Sequence, residues 1–300
     1  MKKISIIYSF RNEAAIIPDL VKRTVAVLNS VSISYEIIFV DDDSNDNSKK
    51  VILELLKNNP SIKLLCMKSR FGQMPCIVAG LKYCSGDAAI FLDSDLQDPP
   101  EVFPKLISEF DKGRDVVHTV RTKRRGESFI KMILTSLAYK IIRLTSKLDV
   151  RENAGDFKLI SRNVIDDICN LKEEEPFLRT LIPWINSNSS YVEYERDPRF
   201  SGDTHFSFWG LNPIETFFIG LSSFSTFPLY LPFLFFLILS FLGILNLFAF
   251  GATLFSLYLL IMLVALFLLF SLGIVGIYLA RMYRQSRNRP LYLVKEKYGF

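Results

Sequence analysis

The sequence predicts an α/β domain built on a mostly parallel, doubly wound sheet, followed by two apolar helices long enough to cross a membrane. Short β-rich segments alternate with helix-length segments over the first 120 residues, which is typical of βαβ units. Two of the β-rich segments end in clusters of aspartates, at the strand ends where such a sheet binds its ligands. Later in the chain, residues 216–280 contain no Asp, Glu, Lys, Arg or His.

Five strands and four helices account for the alternation. The predicted strands are ISIIYSF, EIIFVD, IKLLCM, AAIFLD and DVVHTV, and the predicted helices cover about residues 14–30, 46–58, 73–84 and 101–112. The parallel strands of such a sheet point their carboxyl ends to one edge, and ligands bind beyond that edge. We therefore expect the functional site where the segments FVDDDS and FLDSD end their strands.

The segment FLDSDLQDPP carries three aspartates and contains no Lys or Arg. Asp93 and Asp95 alternate along the end of a strand, and carboxylates so close repel each other unless a cation lies near them. A divalent ion such as Mg²⁺ or Mn²⁺ removes that repulsion, with Gln97 as a further oxygen ligand. The alternative is a helix start, because acids favour a helix N-terminus. That alternative explains Asp98 and Glu101 but not the two earlier aspartates.

The second acid cluster is VDDDSNDNS, residues 40–48. Its simplest interpretation is an Asx-rich helix start in which Asp46 or Ser44 caps the helix. Two acid clusters at neighbouring strand ends favour a ligand site instead. One cluster would accept hydrogen bonds from a base or a ribose, and the other would hold the metal ion that neutralises a diphosphate.

Residues 216–280 favour a membrane hairpin over a core helix of a soluble protein. A bilayer core about 30 Å thick needs roughly 20 helical residues, so this stretch is long enough for two spans. We expect the spans at about 227–250 and 253–280, within a two-helix segment 225–280 and separated by the small residues of AFGAT. Residues 281–300 hold six Lys or Arg against one Glu, and basic flanks stay cytoplasmic. The expectation is a multi-pass protein of the cell membrane, with both termini and the N-terminal domain in the cytoplasm.

An amphipathic segment, residues 127–148, follows the last predicted strand. Its apolar residues recur at helical spacing within a stripe about 100° wide, with Lys140 and Lys147 along one border. A helix packed on the domain core and a helix lying in the membrane interface both fit this pattern. A second interfacial candidate, the juxtamembrane segment 211–224, precedes the first span.

Six groups of segments carry a resemblance to a known family. They are SFRNEAAI, EIIFVDDDSNDNS, AGLKYCSGDAAIFLDSDLQDPPE, AGDFKLISR, RFSGDTHF with SFSTFPL, and GIYLARMYRQSRNRPLYLVKE. In this order, over nearly the whole chain, they resemble the polyprenyl-phosphate glycosyltransferases of the GT-A, family 2 type, and most of all the bactoprenol (undecaprenyl-phosphate) glucosyltransferase subgroup. The resemblance implies a Rossmann-like GT-A catalytic domain over residues 1–210, on the cytoplasmic side of the membrane.

The resemblance also implies a role for each residue that matches a family motif. Asp156 would face the sugar and the acceptor, with a helix N-cap as the simpler alternative. A solvated basic loop is the alternative role for three of the arginines, Arg121, Arg124 and Arg125. The implied set is catalysis by Asp95 and Asp156, nucleotide-sugar binding by Ser9, Arg11, Glu13, Asp41, Asp42, Gly72, Gln73, Asp93 and Ser94, metal binding by Asp93, Asp95 and Gln97, and lipid-phosphate binding by Arg121, Arg124, Arg125 and Arg199.

Three segments depart from the family pattern. SRFGQMP has Arg70 and Gln73 in place of an Asn and a Lys, which puts the donor contacts of that segment in doubt. GDTHF has His205 where a lysine is usual, and GDFKL has Lys158 in place of an arginine. None of these departures removes an expected metal ligand.

The implied reaction moves a sugar from a nucleotide diphosphate sugar, with UDP-glucose as the first expectation, to undecaprenyl phosphate. UDP-GlcNAc, UDP-galactose, GDP-mannose and modified pentoses use the same framework. A phosphate monoester has a second pKa of about 6, so the acceptor is an anionic nucleophile that requires no strong base. A chain with two histidines suits such chemistry. We expect single displacement with inversion, with Mg²⁺ or Mn²⁺ and basic side chains stabilising the leaving diphosphate.

Two other functions compete with this one. A processive polysaccharide synthase would call for more spans and a Gln-x-x-Arg-Trp motif, whereas this chain offers FLRTLIPW, with Arg179 and Trp184. A membrane scaffold that keeps a degenerate transferase fold is the non-enzymatic alternative. The expected partners are the nucleotide sugar, the polyprenyl phosphate and the membrane, with no nucleic acid; a homo-oligomer stays open.

Overall fold

The computed structural model describes residues 2–122, 136, 140, 143–145, 151, 154–171, 173–174, 176–186, 188–196, 225–251 and 253–300. The predictions on Arg124, Arg125, Arg199 and His205 lie outside these residues. So do the predictions on the juxtamembrane segment 211–224 and on most of the amphipathic segment 127–148.

Strands and helices alternate through the first part of the chain, as predicted. The five predicted strands and four predicted helices are all present, and three further strands follow them. In chain order the elements are β1 Lys3–Phe10, α1 Ile17–Val31, β2 Ser34–Asp41, α2 Ser48–Asn58, β3 Ile62–Met67, α3 Gln73–Tyr83, β4 Ala88–Asp93, a 3₁₀ turn Pro100–Val102, α4 Phe103–Asp111, β5 Val116–Arg121, β6 Ala154–Ser161, α5 Arg162–Asn170, α6 Leu178–Ile185, β7 Ser189–Tyr194, a 3₁₀ turn Phe227–Tyr230, α7 Leu231–Phe250, α8 Leu254–Ser286 and β8 Val294–Tyr298.

The strands form one eight-stranded sheet in the order β7-β5-β6-β4-β1-β2-β3-β8. β1 pairs in parallel with β2 and β4, β2 with β3, and β5 with β7. β6 and β8 run antiparallel to their neighbours. The predicted mostly parallel sheet is therefore confirmed, and the carboxyl ends of six strands meet at one edge, which we call the carboxyl edge.

Both faces of the sheet are buried, which explains why its strands read as apolar runs. Alternate residues of β1 serve different faces: Ile6 and Tyr8 pack with α1, α2 and α4, whereas Ile7 packs with α3, α5 and α6. The Tyr8 hydroxyl meets the Thr24 Oγ1 of α1 at 2.7 Å, so this buried polar group is satisfied.

The basic segment after residue 280 contributes a strand to the eight-stranded sheet, where the sequence pattern predicts none. β8 pairs with β3, and the Lys68 N–H donates to the Leu293 carbonyl at 2.8 Å just before the pairing starts. Lys49 of α2 forms an ion pair of 2.7 Å with Glu296. The end of the chain is thus joined to the domain that begins it.

Two long apolar helices precede β8. The segments Phe227–Phe250 and Leu254–Ser286 have mean hydropathies of 2.5 and 2.9, and almost none of their apolar side chains is buried. They pack on each other through aromatic contacts such as Phe235 with Phe270, whose ring centroids lie 4.7 Å apart. The predicted break at AFGAT lies between them, where Gly251 has a φ of 63° that a residue with a side chain rarely adopts.

A buried carboxylate, Glu36 of β2, joins three strands at the edge opposite the carboxyl edge. The Ser5 hydroxyl and the Ser85 N–H each donate to its Oε1 at 2.6 Å, and the ammonium groups of Lys3 and Lys63 lie 3.1 and 2.9 Å from its Oε2. Burial alone would raise the pKa of Glu36, but these contacts outweigh it and lower the pKa to about 2. An ionised Glu36 therefore ties β1, β2 and β3 together.

We expect Glu36→Gln to lower the free energy of unfolding by roughly 3 kcal/mol at neutral pH, because that is the contribution of a carboxylate whose pKa falls to about 2 on folding. Since the folded pKa lies below the ordinary value of 4.5, the contribution is complete above about pH 4.5 and disappears as the pH falls toward 2. Thermal unfolding followed by circular dichroism across this pH range measures it.

The matched control is Glu54→Gln, which removes an exposed carboxylate of α2. It should unfold like the unmodified chain at every pH. A difference between the unmodified chain and E36Q that stays constant down to low pH would contradict the assigned role of the ionised carboxylate.

Candidate active site

The register of the sheet brings the aspartates of distant segments to the carboxyl edge. β1 and β4 pair in parallel with Ser9 opposite Asp93. β4 and β6 run antiparallel with Phe91 opposite Lys158. Two residues further along β4, Asp93 therefore lies level with Asp156 of β6. Carboxylates that are 63 residues apart in sequence therefore face one another across neighbouring strands.

The surroundings of Asp93 disfavour its negative charge. Burial is the main cause, and the neighbouring carboxylates of Asp95, Asp156 and Asp98 add to it. The guanidinium of Arg196 offsets only part of this effect, so the pKa of Asp93 is raised to about 7. The end of β4 is consequently a place of excess negative charge.

The backbone that follows Asp93 forms a strained turn. The Gln97 N–H donates to Asp95 Oδ1 at 3.1 Å, and Leu96 between them has a φ of 58° while its side chain is buried. A leucine in this left-handed conformation costs on the order of 1–2 kcal/mol, so it persists only where packing fixes it. Burial of Leu96 thus holds Asp95 and Gln97 beside Asp93, whose Oδ1 accepts a hydrogen bond from the Gln73 side chain.

The two aspartates that end β2 organise the adjoining loops. Asp42 accepts hydrogen bonds from the backbone N–H groups of Phe71 at 2.7 Å and Gly72 at 3.0 Å. Gly72 has a φ of 95°, so glycine is required where the chain turns into α3. Asp41 accepts from the Ser44 N–H at 2.9 Å, and burial raises its pKa. These bonds shape a cleft wall between β2 and α3.

Four more of the residues implied to bind the nucleotide sugar lie at or just beyond the ends of β1 and β4. Ser9 is buried at the end of β1, and Ser94 is buried at the start of the turn after β4. Glu13 donates its backbone N–H to the Ser48 hydroxyl at 3.0 Å, which ties the loop after β1 to α2. The Nε of Arg11 is shielded from solvent and has no hydrogen-bond partner among the described residues. Arg11 is therefore a donor that a ligand can satisfy.

Asp156 lies within β6, so its alternative role as a helix N-cap is wrong. Arg179 of α6 donates two hydrogen bonds to its carboxylate, from Nε to Oδ1 at 2.8 Å and from a terminal nitrogen to Oδ2 at 2.6 Å. Burial alone would raise the pKa of Asp156, but Arg179 overrides it and holds the pKa at about 2. Asp156 is an ionised, fixed carboxylate at neutral pH.

Asp98 does not cap the helix that follows, so its predicted role as a helix-start residue is corrected. Its buried carboxylate accepts a hydrogen bond from the Tyr194 hydroxyl. Arg196 Nε lies 3.3 Å from its Oδ1, and a terminal nitrogen of Arg121 lies 3.7 Å from its Oδ2. Arg121 also donates from Nε to the Tyr194 hydroxyl at 3.2 Å. Asp98 thus holds two arginines and a tyrosine at the carboxyl edge.

Lys158 and His118 face each other across β6 and β5. Burial lowers the pKa of Lys158 to about 8. Burial, together with the charges of Lys158 and Arg151, lowers the pKa of His118 to about 3, and the His118 ring stacks on Tyr191 with centroids 5.2 Å apart. His118 therefore stays neutral at physiological pH and is no proton carrier for the site.

Three residues of this site were not predicted to belong to it. Arg179, Arg196 and Tyr194 reach their carboxylate partners from 23, 98 and 96 residues away. FLRTLIPW drew attention to Arg179, but nothing in the sequence connects it with Asp156. Of the residues implied to bind lipid phosphate, Arg121 lies at the site, and the other three lie outside the described residues.

The side chains of Asp93, Asp95 and Gln97 offer oxygen ligands of the kind that Mg²⁺ and Mn²⁺ prefer. The raised pKa of Asp93 reflects negative charge that a divalent cation would neutralise. Among the described residues, no three His, Cys, Asp or Glu side chains are close enough to hold an ion by themselves. The residues therefore fit an ion that also takes ligands from water and a substrate diphosphate.

Comparison with known proteins agrees with this arrangement. Residues 5–169 match the family described as Glycosyl transferase family 2. The uncharacterized glycosyltransferase YkcC of Bacillus subtilis is 33% identical over 98% of this chain and 94% of its own length.

Two further relatives carry more specific names. The prophage bactoprenol glucosyl transferase homolog of Escherichia coli K12 is 36% identical over 76% of this chain and 74% of its own length. The bactoprenol glucosyl transferase of Shigella phage SfV is 35% identical over 76% of this chain and 73% of its own length. The matched region contains both aspartate clusters, and the mostly parallel sheet is the GT-A type of fold that the resemblance implied. The chain is an enzyme of the glycosyltransferase class and belongs to glycosyl transferase family 2.

Proposed function

We propose that this glycosyltransferase moves a sugar from a nucleotide diphosphate sugar to a polyprenyl phosphate at the cytoplasmic face of the cell membrane, with inversion at the anomeric carbon. The observation that carries the proposal is that the carboxylates at the carboxyl edge differ in how far arginines neutralise their charge. Arginines hold Asp156 and Asp98, whereas the pKa of Asp93 stays high. Such a site suits a cation with a diphosphate on one side and an anionic acceptor on the other.

The names of the relatives favour particular substrates. Bactoprenol and glucose appear in the names of the Escherichia coli and Shigella phage proteins. Undecaprenyl phosphate and UDP-glucose are therefore the acceptor and donor that we propose. The same site chemistry also serves UDP-GlcNAc, UDP-galactose, GDP-mannose or a modified pentose.

The donor would lie between the loops that follow β1 and β2. Asp41 and Asp42 fix this wall of the cleft, and the bonds from Asp42 hold the loop at Gly72. Arg11 supplies an unsatisfied guanidinium N–H for a phosphate or base oxygen. Asp93, Asp95 and Gln97 would hold Mg²⁺ or Mn²⁺, which neutralises charge on the leaving diphosphate when it is bound.

The acceptor phosphate would meet the arginines that Asp98 holds. Arg121 and Arg196 present guanidinium groups at Asp98, and guanidinium groups bind phosphate oxygens well. A phosphate oxygen of the lipid attacks the anomeric carbon, the new bond to that oxygen forms, and the bond to the diphosphate breaks with its electrons leaving on the nucleoside diphosphate. Because the phosphate monoester is already largely ionised at neutral pH, no proton need be removed.

Asp156 has an electrostatic part in this reaction. Glycosyl transfer builds positive charge on the sugar ring, and an ionised carboxylate stabilises that charge. The pKa of about 2 keeps Asp156 ionised, and the two hydrogen bonds from Arg179 fix its position. Preorganisation of this kind makes Asp156 a stabiliser of the transition state and not a proton acceptor.

The two apolar helices support the membrane placement. Their apolar side chains are exposed over lengths of 24 and 33 residues, which favours a lipid environment over a soluble core. β8 follows α8 and pairs with β3 of the catalytic sheet, so a chain that crosses the membrane must return to the side from which it left. Two spans satisfy this requirement, and the basic residues after Ala280 favour the cytoplasmic side.

A panel of nucleotide sugars identifies the reaction. The purified full-length chain is incubated with undecaprenyl phosphate, Mg²⁺ and each donor, and the lipid product is analysed by mass spectrometry. We expect one hexosyl unit to be added from UDP-glucose, with a β configuration by NMR. A product with the α configuration of the donor would contradict single displacement, and no turnover with any donor would favour the scaffold.

Asp95→Asn should lower kcat/KM for sugar transfer by at least about 100-fold, because a neutral amide holds a divalent cation poorly. Part of the lost rate should return at high Mg²⁺ or Mn²⁺ concentration. The control is Asp19→Asn, which removes an exposed carboxylate of α1 and should keep the full rate. Equal rates for D95N and D19N would remove the proposed metal site.

Asp98→Asn and the milder Tyr194→Phe test the acceptor side. Asp98→Asn loosens Arg121 and Arg196, and Tyr194→Phe removes a contact of Arg121. KM for the lipid phosphate should therefore rise about tenfold, which corresponds to one charge-assisted hydrogen bond. KM for the nucleotide sugar should stay nearly constant. Steady-state kinetics with each substrate varied separately measures this split, and an equal rise in both KM values would indicate general damage to the fold.

A further inference from the structure

A second cleft lies away from the aspartates, where the end of α8 meets the catalytic domain. It has a volume of about 570 Å³, within the usual range for small-ligand sites. Its walls come from α3, from the segment after α5 and from the segment after α8, and they include Lys82, Glu173, Glu174 and Arg289. None of these four residues belongs to the candidate active site described above.

The two carboxylates of this cleft are poorly satisfied. The Oε2 atoms of Glu173 and Glu174 are shielded from solvent and have no hydrogen-bond partner among the residues described. Burial raises the pKa of Glu173, and the charge of Arg281 offsets only part of that rise. Desolvated carboxylate oxygens without donors are costly, so a ligand that brings N–H donors and positive charge would stabilise them.

The position of the cleft relative to the proposed membrane indicates where such a ligand comes from. Gln285 of α8 accepts a hydrogen bond from the Glu174 N–H at 3.1 Å. Gln285 lies five residues beyond Ala280, the last residue of the uncharged stretch, which corresponds to about 7.5 Å of helix. The headgroup layer of each leaflet is roughly 5 to 8 Å thick. If the hairpin crosses the membrane as proposed above, Glu173 and Glu174 lie at the level of the lipid headgroups.

We propose that this cleft binds the headgroup of an ammonium-bearing phospholipid of the cytoplasmic leaflet. The primary ammonium provides three N–H donors for the two carboxylates. The exposed side chains of Lys82 and Arg289 at the cleft supply the positive charge that the lipid phosphate needs. A zwitterionic headgroup matches a cleft that contains charges of both signs, whereas an anionic headgroup would leave the carboxylates unsatisfied.

Lipid retention tests this inference. The full-length chain is reconstituted in nanodiscs of phosphatidylcholine and phosphatidylglycerol with added phosphatidylethanolamine, extracted gently and analysed by native mass spectrometry. We expect phosphatidylethanolamine to be enriched over phosphatidylcholine by about tenfold, because the methylated ammonium of the latter has no N–H donor. Equal retention of the two lipids would overturn the inference.

Variants assign the effect to the cleft. The double variant Glu173→Gln and Glu174→Gln keeps the shape of both side chains and removes their charge, so the enrichment should disappear. Glu54→Gln, which neutralises an exposed carboxylate of α2, should keep it. Enrichment that survives in the double variant would also overturn the inference.

Sugar transfer to undecaprenyl phosphate in detergent, assayed on the same preparations, separates the two proposals. Transfer without lipid enrichment would exclude only the headgroup site. Enrichment without transfer would exclude only the proposed reaction. Soluble phosphoethanolamine added during extraction should displace the bound lipid, since the headgroup carries the recognised groups.

Discussion

Repulsion among four carboxylates is the physical constraint on which the candidate site depends. They reach one sheet edge because β6 pairs antiparallel with β4 and because the turn after β4 is tight. Arginines from three other segments neutralise two of them and leave the end of β4 with excess negative charge. Four unpaired carboxylates at one buried edge would destabilise the fold strongly, and pairing two of them with arginines lowers that cost. The four are Asp93, Asp95, Asp98 and Asp156.

The same edge is tied to the apolar hairpin through β8. Eight residue steps separate Ser286, the end of α8, from Val294, which pairs with Met67 at the carboxyl end of β3. An extended chain of that length covers at most about 28 Å, so Val294, which pairs with the carboxyl end of β3, cannot lie farther than this from the end of α8. A site that serves a lipid phosphate must stay near the headgroups, because the lipid cannot leave the membrane. The short connection to β8 keeps the end of β3 near the end of α8, which agrees with the proposed lipid acceptor.

The sequence predicted the first half of the fold well because its strands are short apolar runs buried on both faces and separated by helices of ordinary length. It predicted no strand in VKEKY, since an alternating charged edge strand resembles a solvated tail. It indicated the acids of the site but not the partners that set their charge. Asp98 precedes two prolines, which is typical of an acid at a helix start. Its contacts with Tyr194 and two arginines appear only in the folded chain, because Tyr194 of β7 is 96 residues away in sequence.

The pKa values of buried carboxylates are shifted in opposite directions at the two edges of the sheet. At the amino-terminal edge, hydrogen bonds and two lysines lower the pKa of Glu36 to about 2, so its charge stabilises the fold. At the carboxyl edge, burial and neighbouring acids raise the pKa of Asp93 to about 7, so its charge opposes the fold. β1 connects the two edges, with Ser5 beside Glu36 and Ser9 opposite Asp93. The sheet can keep an unsatisfied charge at the end of β4 because a satisfied one at the other edge fixes β1, the strand that pairs with β4.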